Sequence, residues 1–175
     1  MVVLRVDCDH LFCYCLDDEL SHLLNWDEAL ELRQTWAMQA KKVVFTNGCF
    51  DLLHPGHIKY LNDAKALGDV LILGLNADAS ISRLKGDSRP INPLTDRAAM
   101  LMGLKAVDAV VAFEEDTPKN LIAMLLPDVL VKGGDYTADD IVGAKEVRDA
   151  GGEVIVVSFL DGYSSSKLIE RIKAS

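Results

Sequence analysis

Five short apolar runs without polar alternation leave this chain few ways to fold. They cover residues 43–46, 70–75, 109–113, 129–131 and 154–157. A strand with one wet face alternates apolar and polar side chains, whereas a strand covered on both faces does not. Between the runs, apolar residues recur at helical spacing over about 57–67, 93–104, 118–125 and 140–150, with a last such stretch at about 166–173. Strand and helix in alternation describe a doubly wound, Rossmann-like α/β fold: a five-stranded parallel sheet with helices on both faces.

One more helix precedes the first run. Asn25-Trp26-Asp27-Glu28 reads as a capping box, and Trp26, Ala29, Leu30, Trp36, Ala37 and Ala40 follow as an apolar stripe. Both tryptophans read as packing anchors. Lys41 and Lys42 are expected to close the helix at its negative end. Residues 1–22 fit no motif and are expected to be a leader of unassigned role, ahead of a domain over 23–175. Cys8, His10, Cys13 and Cys15 could be drawn as a zinc knot, but their spacing matches no common zinc pattern.

The 175 residues suffice to bury a core. A net charge of −9 argues against nonspecific nucleic-acid binding and against an anionic membrane surface. No apolar run is long enough to span a bilayer, and the start of the chain lacks a basic segment followed by a long apolar one. The expected compartment is the cytoplasm, with Cys49 a thiol. An anionic substrate would then need local positive charge.

Parallel sheets bind ligands beyond the carboxyl ends of their strands. After the first run come Asn47-Gly48-Cys49-Phe50-Asp51-Leu52-Leu53 and then His54-Pro55-Gly56-His57, at the start of a helix. A helix start offers free N–H groups and a positive dipole end to an anion. Gly56 allows close approach, Pro55 fixes the entry turn, and two imidazoles can follow charge growing on phosphorus. Read as a metal site, the histidine pair has only Asp51 and Cys49 beside it, so no metal cage is expected.

Three further segments should meet on the same edge. Lys132-Gly133-Gly134-Asp135 follows the fourth run, where the double glycine either turns the chain or admits a ligand. Ser164-Ser165-Ser166 follows the fifth, as a helix cap and a second anion site. Lys85 and Arg89 flank Gly86 in a polar loop whose length suits a flap over phosphates. Arg97 lies in the first turn of a helix, where the dipole disfavours a cation; its partner is either a phosphate or a nearby carboxylate such as Asp96.

The run from Gly48 to His57 resembles the signature of the cytidylyltransferase-like nucleotidyltransferases. Further segments resemble one branch, the heptose-1-phosphate adenylyltransferases, found as the second half of a bifunctional ADP-heptose synthase or alone. These are Arg83-Leu84-Lys85-Gly86, Arg89-Pro90-Ile91-Asn92-Pro93-Leu94 with Arg97, Glu114-Glu115-Asp116-Thr117-Pro118, the stretch from Pro127 to Tyr136, and Gly162-Tyr163-Ser164-Ser165-Ser166-Lys167. They are collinear from about Leu24 to the C-terminus. Cys49 stands where cytidylyltransferases usually carry Thr or Ser, and Phe159-Leu160-Asp161 stands where they often carry Arg. Both features suit the adenylyltransferase branch.

The resemblance implies transfer of AMP from ATP to D-glycero-β-D-manno-heptose 1-phosphate, giving ADP-heptose and pyrophosphate for lipopolysaccharide or surface-glycan precursors. It implies His54, His57 and Lys85 as catalytic residues. Nucleotide or phosphate contacts fall to Asn47, Gly48, Cys49, Phe50, Gly56, Arg97, Ser164, Ser165 and Ser166. Sugar-phosphate contacts fall to Asp51, Lys132, Gly133, Gly134 and Asp135. Mg²⁺ is expected to enter with ATP, and self-association is left open. The alternatives are glycerol-3-phosphate cytidylyltransferase or another small-acceptor nucleotidyltransferase, and a domain that senses ATP or acts as a scaffold without turnover.

Overall fold

The computed structural model describes residues 23–134, 137–160 and 162–174. A parallel sheet forms the middle layer, with strands β1 (Leu23–Leu24), β2 (Val43–Gly48), β3 (Val70–Asn76), β4 (Ala109–Phe113), β5 (Val129–Gly133) and β6 (Glu153–Val157). Their spatial order is β1-β4-β3-β2-β5-β6. The order runs outward from β2 in both directions, so β2 and β5 flank the point where the winding reverses.

The helices are α1 (Trp26–Met38), α2 (Pro55–Lys65), α3 (Asp78–Lys85), α4 (Leu94–Met102), α5 (Lys119–Leu125), α6 (Ala144–Asp149) and α7 (Ser165–Lys173). Successive side chains of each strand supply two separate cores. Val43, Phe45, Val70, Ile72, Val111 and Leu130 pack with Ala29 and Trp36 of α1, Leu121 and Ile122 of α5 and Val147 of α6. Val44, Leu71, Leu73, Val110, Val129 and Val131 pack with Tyr60, Leu61 and Ala64 of α2 and Ala98 and Leu101 of α4. This two-sided burial is why the apolar runs do not alternate.

Three aspartates before the strands pin the amino-terminal edge. Asp69 accepts from the amide of Lys42 at 2.7 Å, Asp108 from Leu71 at 2.6 Å and Asp128 from Val43 at 2.7 Å. Each carboxylate bonds the first turn of a neighbouring strand and so fixes the register of the sheet. The helix cap at Asn25 forms as expected: its side chain accepts from Glu28 N while Glu28 accepts from Asn25 N. Trp36 is buried, and Trp26 donates its indole N–H to Ala112 O at 2.9 Å.

The sheet has six strands rather than five. β1 pairs only Leu23 and Leu24 with Val110 and Val111 of β4, and two residues are too few to carry a periodic signal. Helix α3 occupies part of the stretch expected to be a loop around Lys85. Its only large buried apolar residue is Ile81, so its eight residues carry no stripe. Helix α1 ends at Met38, and the chain turns through Ala40 at φ 55°, where Lys41 N donates back to Trp36 O. Lys41 and Lys42 therefore lie past the helix, and Lys42 pairs with Glu153 at 3.1 Å. The expected leader 1–22, including Cys8, His10, Cys13 and Cys15, lies outside the described residues. Among the described residues no helix is long and apolar enough to cross a membrane.

Leu71 is fully buried between β2, β4 and α2. Leu71→Ala is expected to cost about 2–5 kcal/mol, seen as a lower urea midpoint with an unchanged m-value.

Candidate functional site

A cavity of about 500 Å³ opens beyond the carboxyl ends of β2, β3 and β5. Asn47 and Gly48 come from the end of β2, Asn76 from β3, and Lys132 and Gly133 from β5. Lys132 Nζ donates to Asn47 Oδ1 at 3.2 Å, a bond that crosses the gap where the winding reverses. Burial pulls the Lys132 ammonium below the usual lysine range, opposed by the nearby Cys49 thiol. No carboxylate among the described residues pairs with it within 4.0 Å. It is a cation held out of water with room for an anion.

The loop after β2 carries the histidine box into α2. Phe50 adopts φ 43°, a left-handed conformation uncommon for a large side chain, and its ring lies 5.1 Å from that of His57. His54 is the N-cap of α2 and accepts from His57 N at 3.3 Å through Nδ1. Pro55 follows at the first helical position, where its missing N–H costs nothing. The two imidazoles stack at 3.8 Å between centroids and 16° between planes. A Cβ at Gly56 would lie 3.0 Å from His54 Nδ1 and 3.2 Å from Tyr163 Cβ, so a side chain there would press on the His54 ring.

His57 lines the cavity with Lys85, which stands at the end of α3. Burial, then the charges of His54 and Lys85, push the His57 pKa down to about 4. Its Nδ1 is buried and has no hydrogen-bond partner among the described residues. The ring is therefore neutral at pH 7. Beneath it, Tyr60 and Thr46 share a hydrogen bond of 2.5 Å, and Tyr60 donates to Val131 O at 3.3 Å. This pair ties α2 to β2 and β5 under the cavity floor.

The cavity brings together Asn47, Gly48, Cys49, Phe50, Asp51, His57, Lys85, Lys132, Gly133 and Ser165. His54 instead lines adjacent grooves with Leu53 and Pro55, its ring 6.2 Å from that of Tyr163. Ser164 caps α7 by accepting from Lys167 N at 3.1 Å, Ser165 donates to Leu52 O at 3.0 Å, and Ser166 is exposed. Gly134 turns the chain at φ 116°, outside the cavity lining. Asp135 lies outside the described residues.

Two expected ligand contacts have other partners. Arg97 is fully buried: Nε donates to Asn92 O at 3.0 Å, Nη1 to Cys49 O at 2.7 Å and Nη2 to Asp78 Oδ1 at 2.7 Å. All three guanidinium nitrogens are committed to the protein, so Arg97 presents nothing to a phosphate. The cation disfavoured by the α4 dipole is held by the carboxylate of Asp78. Asp51 touches the cavity, but its carboxylate accepts from Arg89 Nε at 2.5 Å and from the amides of Ile91 and Asn92 at 2.8 and 3.0 Å. Burial pushes the Asp51 pKa up, but these bonds outweigh it and hold the carboxyl below the ordinary range.

Sequence reasoning missed Tyr60, Asn76 and Phe159. Tyr60 is the residue three places after His57, on the same helix face, which is the signal that could have found it. Phe159 is exposed, and a Cβ on Gly133 would meet its ring at 2.4 Å. Among the described residues no cluster of three or more His, Cys, Asp or Glu could hold a metal ion.

The profile of the cytidylyltransferase-like family matches residues 45–171. A relative named bifunctional protein HldE from Marinomonas sp. (strain MWYL1) is 55% identical over 149 residues, 85% of this chain and 31% of the relative. Its namesake from Proteus mirabilis (strain HI4320) is 56% identical over 149 residues, 83% of this chain and again 31% of the relative. The chain thus spans about a third of the length of these relatives. A crystal structure described as the lipopolysaccharide core biosynthesis protein from Thermoplasma volcanium GSS1 is 31% identical, with a TM-score of 0.57, covering 71% of this chain and 99% of that one. Pantoate-beta-alanine ligase from Francisella tularensis shares the fold at 17% identity and a TM-score of 0.57.

The buried, neutral His57 leaves a mark on stability. Unfolded, the ring takes a proton below about pH 6.5; folded, it does so only below about 4. The unfolded state binds more protons between those values, so stability rises with pH across that window and is complete above it. His57→Gln is expected to flatten that slope in urea titrations at pH 4.5 and 7.5, relative to the parent chain.

Proposed function

The chain belongs to the cytidylyltransferase-like family, and from that premise we propose that it is an adenylyltransferase making ADP-heptose from ATP and D-glycero-β-D-manno-heptose 1-phosphate. The observation that carries nucleotidyl transfer is the cavity itself: His57, Lys85 and Lys132 converge there, in a chain of net charge −9. The choice of acceptor rests on the relatives named bifunctional protein HldE, 55% and 56% identical over most of this chain, and on the segments resembling ADP-heptose synthase. Cys49, in place of the usual Thr or Ser, argues against the cytidylyltransferase alternatives.

The acceptor's phosphate oxygen is already anionic at neutral pH, so no group need remove a proton. It attacks the α-phosphorus of ATP, the bond to the bridging oxygen breaks, and pyrophosphate leaves with the electron pair. The protein has to bring two anions into line and neutralise charge as it shifts. His57 donates to the phosphates, and the arriving negative charge raises its pKa so that it can carry a proton there. Lys85 meets the β and γ phosphates and the departing pyrophosphate. Lys132, steadied by Asn47, meets the sugar phosphate. His54, its Nδ1 committed to the helix start, holds the His57 ring by stacking.

Mg²⁺ enters as part of the nucleotide substrate, since it is usually held by phosphates and few carboxylates. Two of the carboxylates lining the cavity are already paired with the protein, Asp51 with Arg89 and Asp116 with Arg83 at 2.8 Å. ATP as donor puts the reaction in the cytoplasm.

The test is pyrophosphate release from ATP or CTP with heptose 1-phosphate and glycerol 3-phosphate as acceptors, with mass spectrometry of the product. ATP and heptose 1-phosphate should give ADP-heptose. His57→Ala should lower kcat about 100-fold or more, as for loss of one preorganised donor, with a far-UV CD spectrum like the parent's. ATP binding without turnover on any acceptor would favour a sensor or scaffold instead.

A further inference from the structure

The stretch that carries Lys85 is pinned at both ends to one short piece of the histidine-box loop. At its start, Asp78 of α3 accepts from Arg97 Nη2 at 2.7 Å, and Arg97 Nη1 donates to Cys49 O at 2.7 Å. At its end, the amides of Ile91 and Asn92 and the guanidinium of Arg89 converge on the Asp51 carboxylate. Asn92 Nδ2 also donates to Asp51 O at 2.8 Å, and Asn92 O accepts from Arg97 Nε at 3.0 Å. Ser82 of α3 donates to Arg89 O at 2.7 Å, closing the loop back on the helix. Lys85 lies between the two anchors. His57 lies just beyond residues 49–51, at the start of α2.

We propose that Arg97 and Asp51 are positioning residues that hold Lys85 and His57 in one fixed relation. Residues 78–92 are clamped at both ends to residues 49–51. The two phosphate-facing groups come from different crossovers of the sheet, and these charged bonds tie those crossovers together at the cavity edge. A guanidinium suits such a clamp, because its planar fork reaches three acceptors in fixed directions, which an ammonium cannot. This proposal rests on the phosphate-transfer reading of the cavity. It assigns Arg97 no contact with substrate.

A role limited to stability would lower the folded fraction and leave the catalytic groups independent. A positioning role makes the effect of Arg97 depend on Lys85. The experiment is a double-mutant cycle of Arg97→Lys and Lys85→Ala, read as kcat and KM for pyrophosphate release from ATP and heptose 1-phosphate, with folded fraction checked by CD. Arg97→Lys keeps the charge beside Asp78 but loses the fork. It should lower kcat on the order of 100-fold, the scale for a misplaced group, with a smaller change in KM. In the Lys85→Ala background the same substitution should cost less than about threefold. Additive losses, or a loss that only follows the folded fraction, would overturn the proposal.

Asp51→Asn is the milder second variant should Arg97→Lys not fold. It keeps an oxygen for the two amides and removes the charge facing Arg89, so a smaller loss with the same dependence on Lys85 is expected. Hydrogen exchange separates this inference from the function itself. In either variant the amides of residues 84–92 should exchange faster while β2 and β3 stay protected; unchanged exchange there overturns the clamp even if the parent chain releases no pyrophosphate. A parent chain inactive on every acceptor, with exchange changed as expected, would sink the functional reading and leave the clamp standing.

Discussion

The reversal of winding beside β2 is the constraint on which the rest depends. Crossovers from β2 lead to β3 and then β4 on one side, while β5 and β6 fill the other. Their loops diverge there, and the sheet cannot close the gap between them. A parallel sheet therefore carries a crevice at this place whatever its side chains. The chain fills the crevice with polar groups: the Lys132–Asn47 bond spans it, and the Tyr60–Thr46 pair lies under it. The cores reach this edge through Phe50, Tyr60 and Ile141, which also line the cavity, so packing and polar groups meet there.

Charge explains how an acidic protein can receive anions. Among the described residues, Lys85 and Lys132 at the cavity have no carboxylate within 4.0 Å, unlike cations elsewhere. Arg33, Lys42, Lys65, Arg83 and Arg89 are each paired with an Asp or Glu. Among the described residues Lys132 bonds a neutral amide oxygen and no carboxylate, and His57 stays neutral through burial. Both groups sit in an environment that disfavours their own charge. An anion beside Lys132 would offset that cost, whereas His57 has first to take up a proton before it can offer a full charge. A neutral His57 also avoids charge repulsion against the His54 ring stacked on it at 3.8 Å.

The outline of the fold was legible because its strands are buried on both faces and leave unbroken apolar runs. What was not legible was short or tertiary. β1 has two residues, and α3 holds itself by Ile81 and by side-chain bonds to distant loops, neither of which leaves a local period. In the site, position relative to a strand end was enough to bring Asn47, His57, Lys132 and Ser165 to one cavity. The same rule placed Ser164 and Gly134 beside it rather than in it, since facing is a matter of a single residue that spacing does not resolve. Tyr60 was missed because a buried tyrosine on a helix reads first as core, which it also is.

Arg97 shows why residue type and motif cannot by themselves separate a ligand contact from a framework contact. The dipole argument gave a sound premise: a cation in the first turn of α4 needs a compensating partner. Phosphate and carboxylate satisfy that need equally, and both are met by a planar fork. The decision comes from depth. A group that binds a substrate must keep a face toward the cavity, and Arg97 keeps none, with all its nitrogens spent on three chain segments. Such a buried cation carries a desolvation cost that a small α/β protein would shed if packing were its only use, because an apolar residue of like volume serves packing as well. What the fork supplies and an apolar side chain cannot is direction. It fixes three backbone or carboxylate oxygens, from two crossovers, at set angles to one plane. The sequence motif around Arg97 thus belongs to the site through the geometry it imposes on Lys85 and His57, rather than through any contact with the molecules that enter.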